Sequence, residues 1–211
     1  MADTIFVFGV ALEIWALTIS IIAILFTLLK DFILPFFFKP KFIFEYHEDV
    51  PYRREDIRIN NDRNRIGTFL RFKVKNIGNR PANNCRCQLS RVEDIDNHRS
   101  YGDYQGFPLR WASRPESIID QIKGERLNIG IGETEFIDLA FTGNDRIGIV
   151  LEKYHNVPIG IKETIPPGNY YLYLIFSGDN FKPYELKFHI NRYDNNDPEQ
   201  INVGLEEIKQ L

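Results

Sequence analysis

The sequence predicts an all-β soluble domain, an antiparallel β-sandwich, preceded by one N-terminal transmembrane α-helix. Two observations carry that prediction. Residues 5–29, IFVFGVALEIWALTISIIAILFTLL, form an apolar run holding a single charge, Glu13. Beyond residue 41, apolar residues recur at every second position in short segments separated by Gly, Pro and Asn, the pattern of half-buried strands joined by turns. At ~1.5 Å per residue, a run of about 25 residues reaches across a ~30 Å hydrocarbon core. A soluble helix this long keeps a polar face unless it lies at the centre of a large protein, and 211 residues do not build one.

The transmembrane element, residues 1–31, has internal order. Gly9, Glu13, Ala16, Ser20, Ala23 and Thr27 follow one another in alternating steps of four and three, and Lys30 adds one more. That is a heptad seam, the repeat that keeps one face against a neighbouring helix. In lipid, small residues let helix backbones approach and polar groups bond across the contact. We therefore expect self-association, or docking on another membrane subunit, along this line. Glu13 belongs inside the contact, because a charged group in a span faces protein or water. A channel-like assembly with polar rings of Glu13, Ser20 and Thr27 is the alternative use of the same residues. Lys30, Lys39, Lys41, Arg53, Arg54 and Arg58 follow the run, and no Lys or Arg precedes it. Because cations collect on the cytoplasmic flank, this bias predicts an N-terminus outside the cell membrane and a cytoplasmic C-terminal domain. An exported adhesin or envelope-surface module is the rival topology.

Residues 32–41, FILPFFFKPK, read as a membrane-surface elbow. Pro35 and Pro40 interrupt the helix, Phe36, Phe37 and Phe38 suit the headgroup level, and Lys39 and Lys41 can reach lipid phosphates. The domain then occupies 42–211, long enough for one proper core. Its first strand, KFIFEYHE, sets Phe42, Phe44 and Tyr46 against Ile43, Glu45 and His47. The charged stretch 51–66 reads as a solvated loop. TFLRFKVKN places Leu70, Phe72, Val74 and Asn76 opposite Phe69, Arg71, Lys73 and Lys75; after the turn NIGNRP, Cys85, Cys87 and Leu89 alternate with Arg86, Gln88 and Ser90. A long insertion follows at 95–126, within which SIIDQI suggests a helical turn or two. Strands resume with ETEFIDLAFTG, RIGIVLEK, VPIGIKE, GNYYLYLIFSGD and YELKFHINRY. The tail DPEQINVGLEEIKQL suggests a short helix with Ile201, Leu205 and Ile208 inward.

At FLRFKVKNIGNRPANNC, the alternation of Leu70, Phe72 and Val74 runs into Asn76, Ile77 and Gly78 and then Ala82. Here the chain resembles the Ig-like sandwich modules of prokaryotic surface and membrane proteins, the CARDB or cell-adhesion-related type. GETEFIDLAF and PPGNYYLYLIF fit the same resemblance, which covers roughly residues 68–191. It implies an Ig-like antiparallel β-sandwich and leaves function open, since such folds host many functions. The physics agrees: a buried strand ending in a tight turn favours Asn and Gly there.

The residue content argues against most chemistry. The two cysteines, Cys85 and Cys87, would lie on one face of a strand, a poor geometry for a mutual disulfide, and fit a reducing compartment. The four histidines are scattered without metal-ligand spacing, so no metal is expected. Asp94, Asp96 and Asp103 lack the spacing of a calcium loop. No nucleophile elbow and no Gly-rich phosphate loop before a helix occurs. We therefore expect no cofactor and no enzymatic activity. The net charge of −3 belongs wholly to residues beyond 41, which argues against a nucleic-acid surface. The expected partners are membrane lipid, a membrane helix, and a protein recognised by the β domain. For that last role the insertion offers Tyr101, Tyr104, Phe107, Arg110, Trp111 and Arg114, a composition typical of interface hot spots. The bland alternative is that Phe107 and Trp111 cap one end of the sandwich.

Overall fold

A computed structural model describes residues 6–7, 10–33, 37–58, 66–101, 107–113, 126–142, 147–148, 164–192 and 201–211. The chain divides into two units, Met1–Lys39 and Pro40–Leu211.

In the first unit, β1 (Phe6–Val7) pairs antiparallel with β2 (Val10–Ala11), and α1 (Leu12–Leu28) follows directly. The helix therefore begins later than the apolar run does. Residues 6–7 and 10–11 pair as strands instead of extending it, which corrects the expected helix over 5–29. A π-helical turn, Leu29–Ile33, follows α1 directly. Ile14–Asp31 remains long and apolar enough to cross a membrane, and none of it is buried. Phe37 and Phe38 are exposed as well.

Among the described residues of the second unit are the strands β3 (Phe42–Glu45), β4 (Arg53–Arg58), β5 (Ile66–Asn76), β6 (Ala82–Asp94), β7 (Arg99–Tyr101), β8 (Phe107–Pro108), β9 (Leu127–Ile129), β10 (Thr134–Thr142), β11 (Ile147–Gly148), β12 (Thr164–Ile165), β13 (Gly168–Ser177), β14 (Tyr184–Arg192) and β15 (Asn202–Gln210). One sheet runs β12-β11-β10-β5-β3, with β4 beside β3 on the same edge of β5. The other runs β15-β14-β13-β6-β7, and β9 and β8 cover the same edge of β6 before β7 does. Every pairing among the described strands is antiparallel. The two sheets share one apolar core: Phe42 meets Phe176 edge-on at 4.8 Å between centroids, and Phe72 meets Phe188 at 5.0 Å.

The period-two expectations hold in β5 and β6. Leu70, Phe72, Val74 and Asn76 are buried on one face of β5, as are Cys85, Cys87 and Leu89 on β6. Asn76 is a buried polar group with its bonds made: its amide donates to the carbonyls of Arg80 (2.9 Å) and Ile129 (3.2 Å), and its Oδ1 accepts from Gly78 N at 3.0 Å. That is the Asx geometry the turn residues implied. In β10 an extra residue, Leu139, bulges between the pairs Asp138↔Arg71 and Ala140↔Leu70, so 137–140 are all buried instead of alternating.

Two expectations are corrected. The stretch 51–66 is not wholly a loop, because β4 (Arg53–Arg58) pairs with β5. Its sequence, RREDIR, carries no apolar alternation, and backbone pairing with β5 makes it a strand. The tail is not a helix: β15 pairs with β14 along nearly its whole length. Ile201, Val203 and Leu205 supply a period of two beside the helical spacing of Ile201, Leu205 and Ile208, and the long free edge of β14 selects the strand. SIIDQI, VPIGIKE and most of RIGIVLEK lie outside the described residues.

Candidate interaction surfaces

The first surface is α1. Successive helix positions turn about 100°, so Ala16, Ser20, Ala23 and Thr27 fall within an arc of about 60°. Ser20 Oγ donates to Ala16 O at 2.8 Å and Thr27 Oγ1 to Ala23 O at 2.9 Å; on another face Thr18 Oγ1 donates to Ile14 O at 2.8 Å. These hydroxyl protons are bonded inside the helix, which removes the penalty of an unpaired donor in hydrocarbon. What remains on the stripe is short and smooth, the surface on which two helix backbones can approach. Gly9 and the side chain of Glu13 lie outside the described residues.

The second surface is the part of the 95–126 insertion that is described, and it is less open than a loop. β7 and β8 both pair with β6. The chain then crosses to the other sheet: Leu109 N donates to Cys87 O at 2.8 Å, Asp138 N to Arg110 O at 2.9 Å, and Ala112 N to Phe136 O at 2.8 Å. Residues 107–113 thus form a strap that ties the edge of β6 to the edge of β10. Leu109 and Trp111 point into the core, and Trp111 has 0% exposure, with its ring edge-on to Phe176 at 6.4 Å. Arg110 turns to Asp138, whose buried carboxylate lies 3.9 Å from Arg110 Nε and 2.5 Å from Arg71 Nε. Of the six residues expected to bind a partner, Trp111 is a core residue and Arg110 belongs to an ion-pair cluster. The side chains of Tyr101 and Phe107, and all of Tyr104 and Arg114, lie outside the described residues.

The third surface was not singled out from the sequence. It is the outer face of the sheet β15-β14-β13-β6. Tyr170, Leu172, Leu174 and Phe176 of β13 point inward, which turns Tyr171 and Tyr173 outward. Arg91 stacks its guanidinium over the Tyr173 ring at 3.9 Å, and Lys187 places Nζ 3.5 Å from the Tyr171 ring centroid. Tyr173 donates its hydroxyl to Glu93 at 3.0 Å, and Lys187 pairs with Glu206 at 3.1 Å. His189 Nε2 meets Asn169 Oδ1 at 2.5 Å and its Nδ1 lies 3.9 Å from Glu206. Burial and the bond to Glu93 raise the Tyr173 phenol, so it stays a donor at neutral pH. For Lys187, burial pulls downward, but the bond and charge of Glu206 outweigh it and the amine stays protonated. The signal in the sequence was two tyrosines at successive outward positions of a strand whose inward positions are all apolar.

Lys73 bonds Glu45 and holds its carboxyl below the ordinary glutamate range. Cys85 and Cys87 are free thiols on the inward face of β6; burial pushes Cys85 up to about 12 and raises Cys87 as well, so neither is a nucleophile. No cluster of His, Cys, Asp or Glu able to hold a metal occurs among the described residues. Comparisons with family models, with curated proteins and with solved structures found no match to this chain.

Proposed function

We propose that the chain is a non-enzymatic, single-pass membrane protein. Its apolar segment assembles it with itself or another membrane subunit through the seam of Gly9, Glu13, Ala16, Ser20, Ala23 and Thr27. Its β unit, an Ig-like module of the CARDB type, presents a protein-recognition face on the cytoplasmic side. One observation carries this: Ile14–Asp31 exposes its apolar side chains on every face and buries none of them, while the small stripe keeps its hydroxyls bonded internally. An uncovered apolar helix of this length is stable in lipid and costly in water. The Tyr171, Tyr173 and Arg91 ladder supports the recognition role, because rigid aromatics and Arg dominate interface energetics.

Crosslinking in membranes tests the assembly. Ala16→Leu combined with Ala23→Leu fills the stripe with branched side chains and should lower the crosslinked yield roughly tenfold, a change of about 1.4 kcal/mol. Leu17→Ala, off the stripe, should leave the yield unchanged. Equal yields from both variants would remove the seam from the account.

A further inference from the structure

We infer that one end of the β unit, the end at which β3 begins, rests on an anionic lipid surface through the turns 77–81 and 130–133. The inference depends on the membrane anchoring proposed above and adds a second, independent point of contact. These turns are locked side by side: Ile77 N donates to Lys41 O at 2.8 Å, Gly132 N to Asn76 O at 2.8 Å, and Asn76 N to Glu133 O at 3.1 Å. Each turn raises an apolar tip into solvent, Ile77 at 50% exposure and Ile131 at 60%. The same end carries the exposed cations Lys41, Arg80 and, on the adjoining turn after β13, Lys182. That third turn is fixed to the same end, because Asn180 donates to Pro81 O at 2.8 Å and accepts from Asn83 N at 3.0 Å. Two exposed acids lie at the same end, each held by a local bond: Glu133 accepts from Gly130 N at 2.5 Å and Asp179 from Asn84.

Two apolar tips with three exposed cations against two locally bonded acids, at one end of a chain with net charge −3, complement a bilayer bearing anionic headgroups. Tips of this kind enter the headgroup region while Lys and Arg meet phosphates, each cation near the surface strengthening binding roughly fivefold. Chain connectivity points the same way: Lys41 lies only eight residues beyond Ile33 in the sequence, and residues 37–41 are aromatic or basic apart from Pro40.

The test uses the full chain reconstituted in phosphatidylcholine–phosphatidylserine vesicles. An environment-sensitive label is attached at Ile131→Cys, at Ile77→Cys, or at Arg99→Cys on β7; the native thiols are buried and do not compete. Arg99 pairs with the far end of β6, a thirteen-residue strand and hence about 40 Å from the near end. Nitroxide lipids should quench the Ile131 and Ile77 labels at least threefold more than the Arg99 label. Replacing Lys41, Arg80 and Lys182 by Glu, or serine headgroups by neutral ones, should reduce that difference. A chain that floats with vesicles while its Ile131 label is quenched no more than the Arg99 label overturns this inference and leaves anchoring intact. Crosslinks between copies at Ile131→Cys without lipid quenching would assign the patch to a second copy and overturn it too. A chain that does not float overturns the anchoring, and this inference with it.

Discussion

Trp111 occupies space between the two sheets with no solvent-exposed surface, and this decides what a substitution there does. Removing a buried indole loses its transfer free energy and leaves a cavity, so Trp111→Ala should destabilise the β unit by about 3–5 kcal/mol. Urea unfolding followed by far-UV circular dichroism checks this; an unchanged midpoint would return the residue to the surface. Its neighbour Arg110 serves a different structural end. With Arg71 it brackets the buried Asp138, and a buried carboxylate needs such partners. The sequence offered Trp111 a structural place only as the alternative of a cap on one end of the sandwich, and offered Arg110 none. Leu109 and Trp111 make too short an alternation to signal a strand, and the groups they pack on, Ile137 and Phe176, lie far along the chain. An Arg-Trp pair in a loop-like context carries the composition of a docking site whether it faces water or core.

At the scale of elements, period-two patterning was sufficient wherever one face of a strand was buried. β5, β6, β13 and β14 alternate along almost their full lengths, and their inward residues form the core. It failed where pairing and not burial makes the strand. β4 is a charged edge, and β15 carries two periods at once. A glycine also weakened any assignment of β15. Gly204 sits opposite His189, and a Cβ built there meets nothing within 4 Å. Glycine in a strand loses more entropy on folding than other residues and packs nothing. Gly204→Val should therefore stabilise the unit by roughly 0.5–1 kcal/mol, visible as a rise in the thermal midpoint. A helical tail would respond in the opposite sense to a β-branched residue. The apolar run shows the complementary failure: hydropathy marks lipid-compatible residues but not backbone conformation, so the paired segments before Leu12 looked the same as the helix.

For the whole molecule, the question that decides its biology is which side of the membrane holds the β unit. Lys30, Lys39 and Lys41 lie at or just after the end of the span and residues 1–4 hold no Lys or Arg, and Lys and Arg within about 15–20 residues of a span set its orientation. Cys85 and Cys87 are reduced, buried and shifted upward in pKa, so a membrane-impermeant maleimide should pass them by. A thiol introduced at the exposed Arg99 then reports topology without background. We expect Arg99→Cys to react at least tenfold faster in inverted membrane vesicles than in intact cells. Replacing Lys30, Lys39 and Lys41 by Gln while inserting three Lys before residue 5 should reverse that ratio, because the bias in charge, and not the β unit, sets the direction of insertion. Fast labelling of the unaltered flank in intact cells would put the sheet face of Tyr171 and Tyr173 outside, where it would meet extracellular partners and the adhesin topology would replace the one proposed.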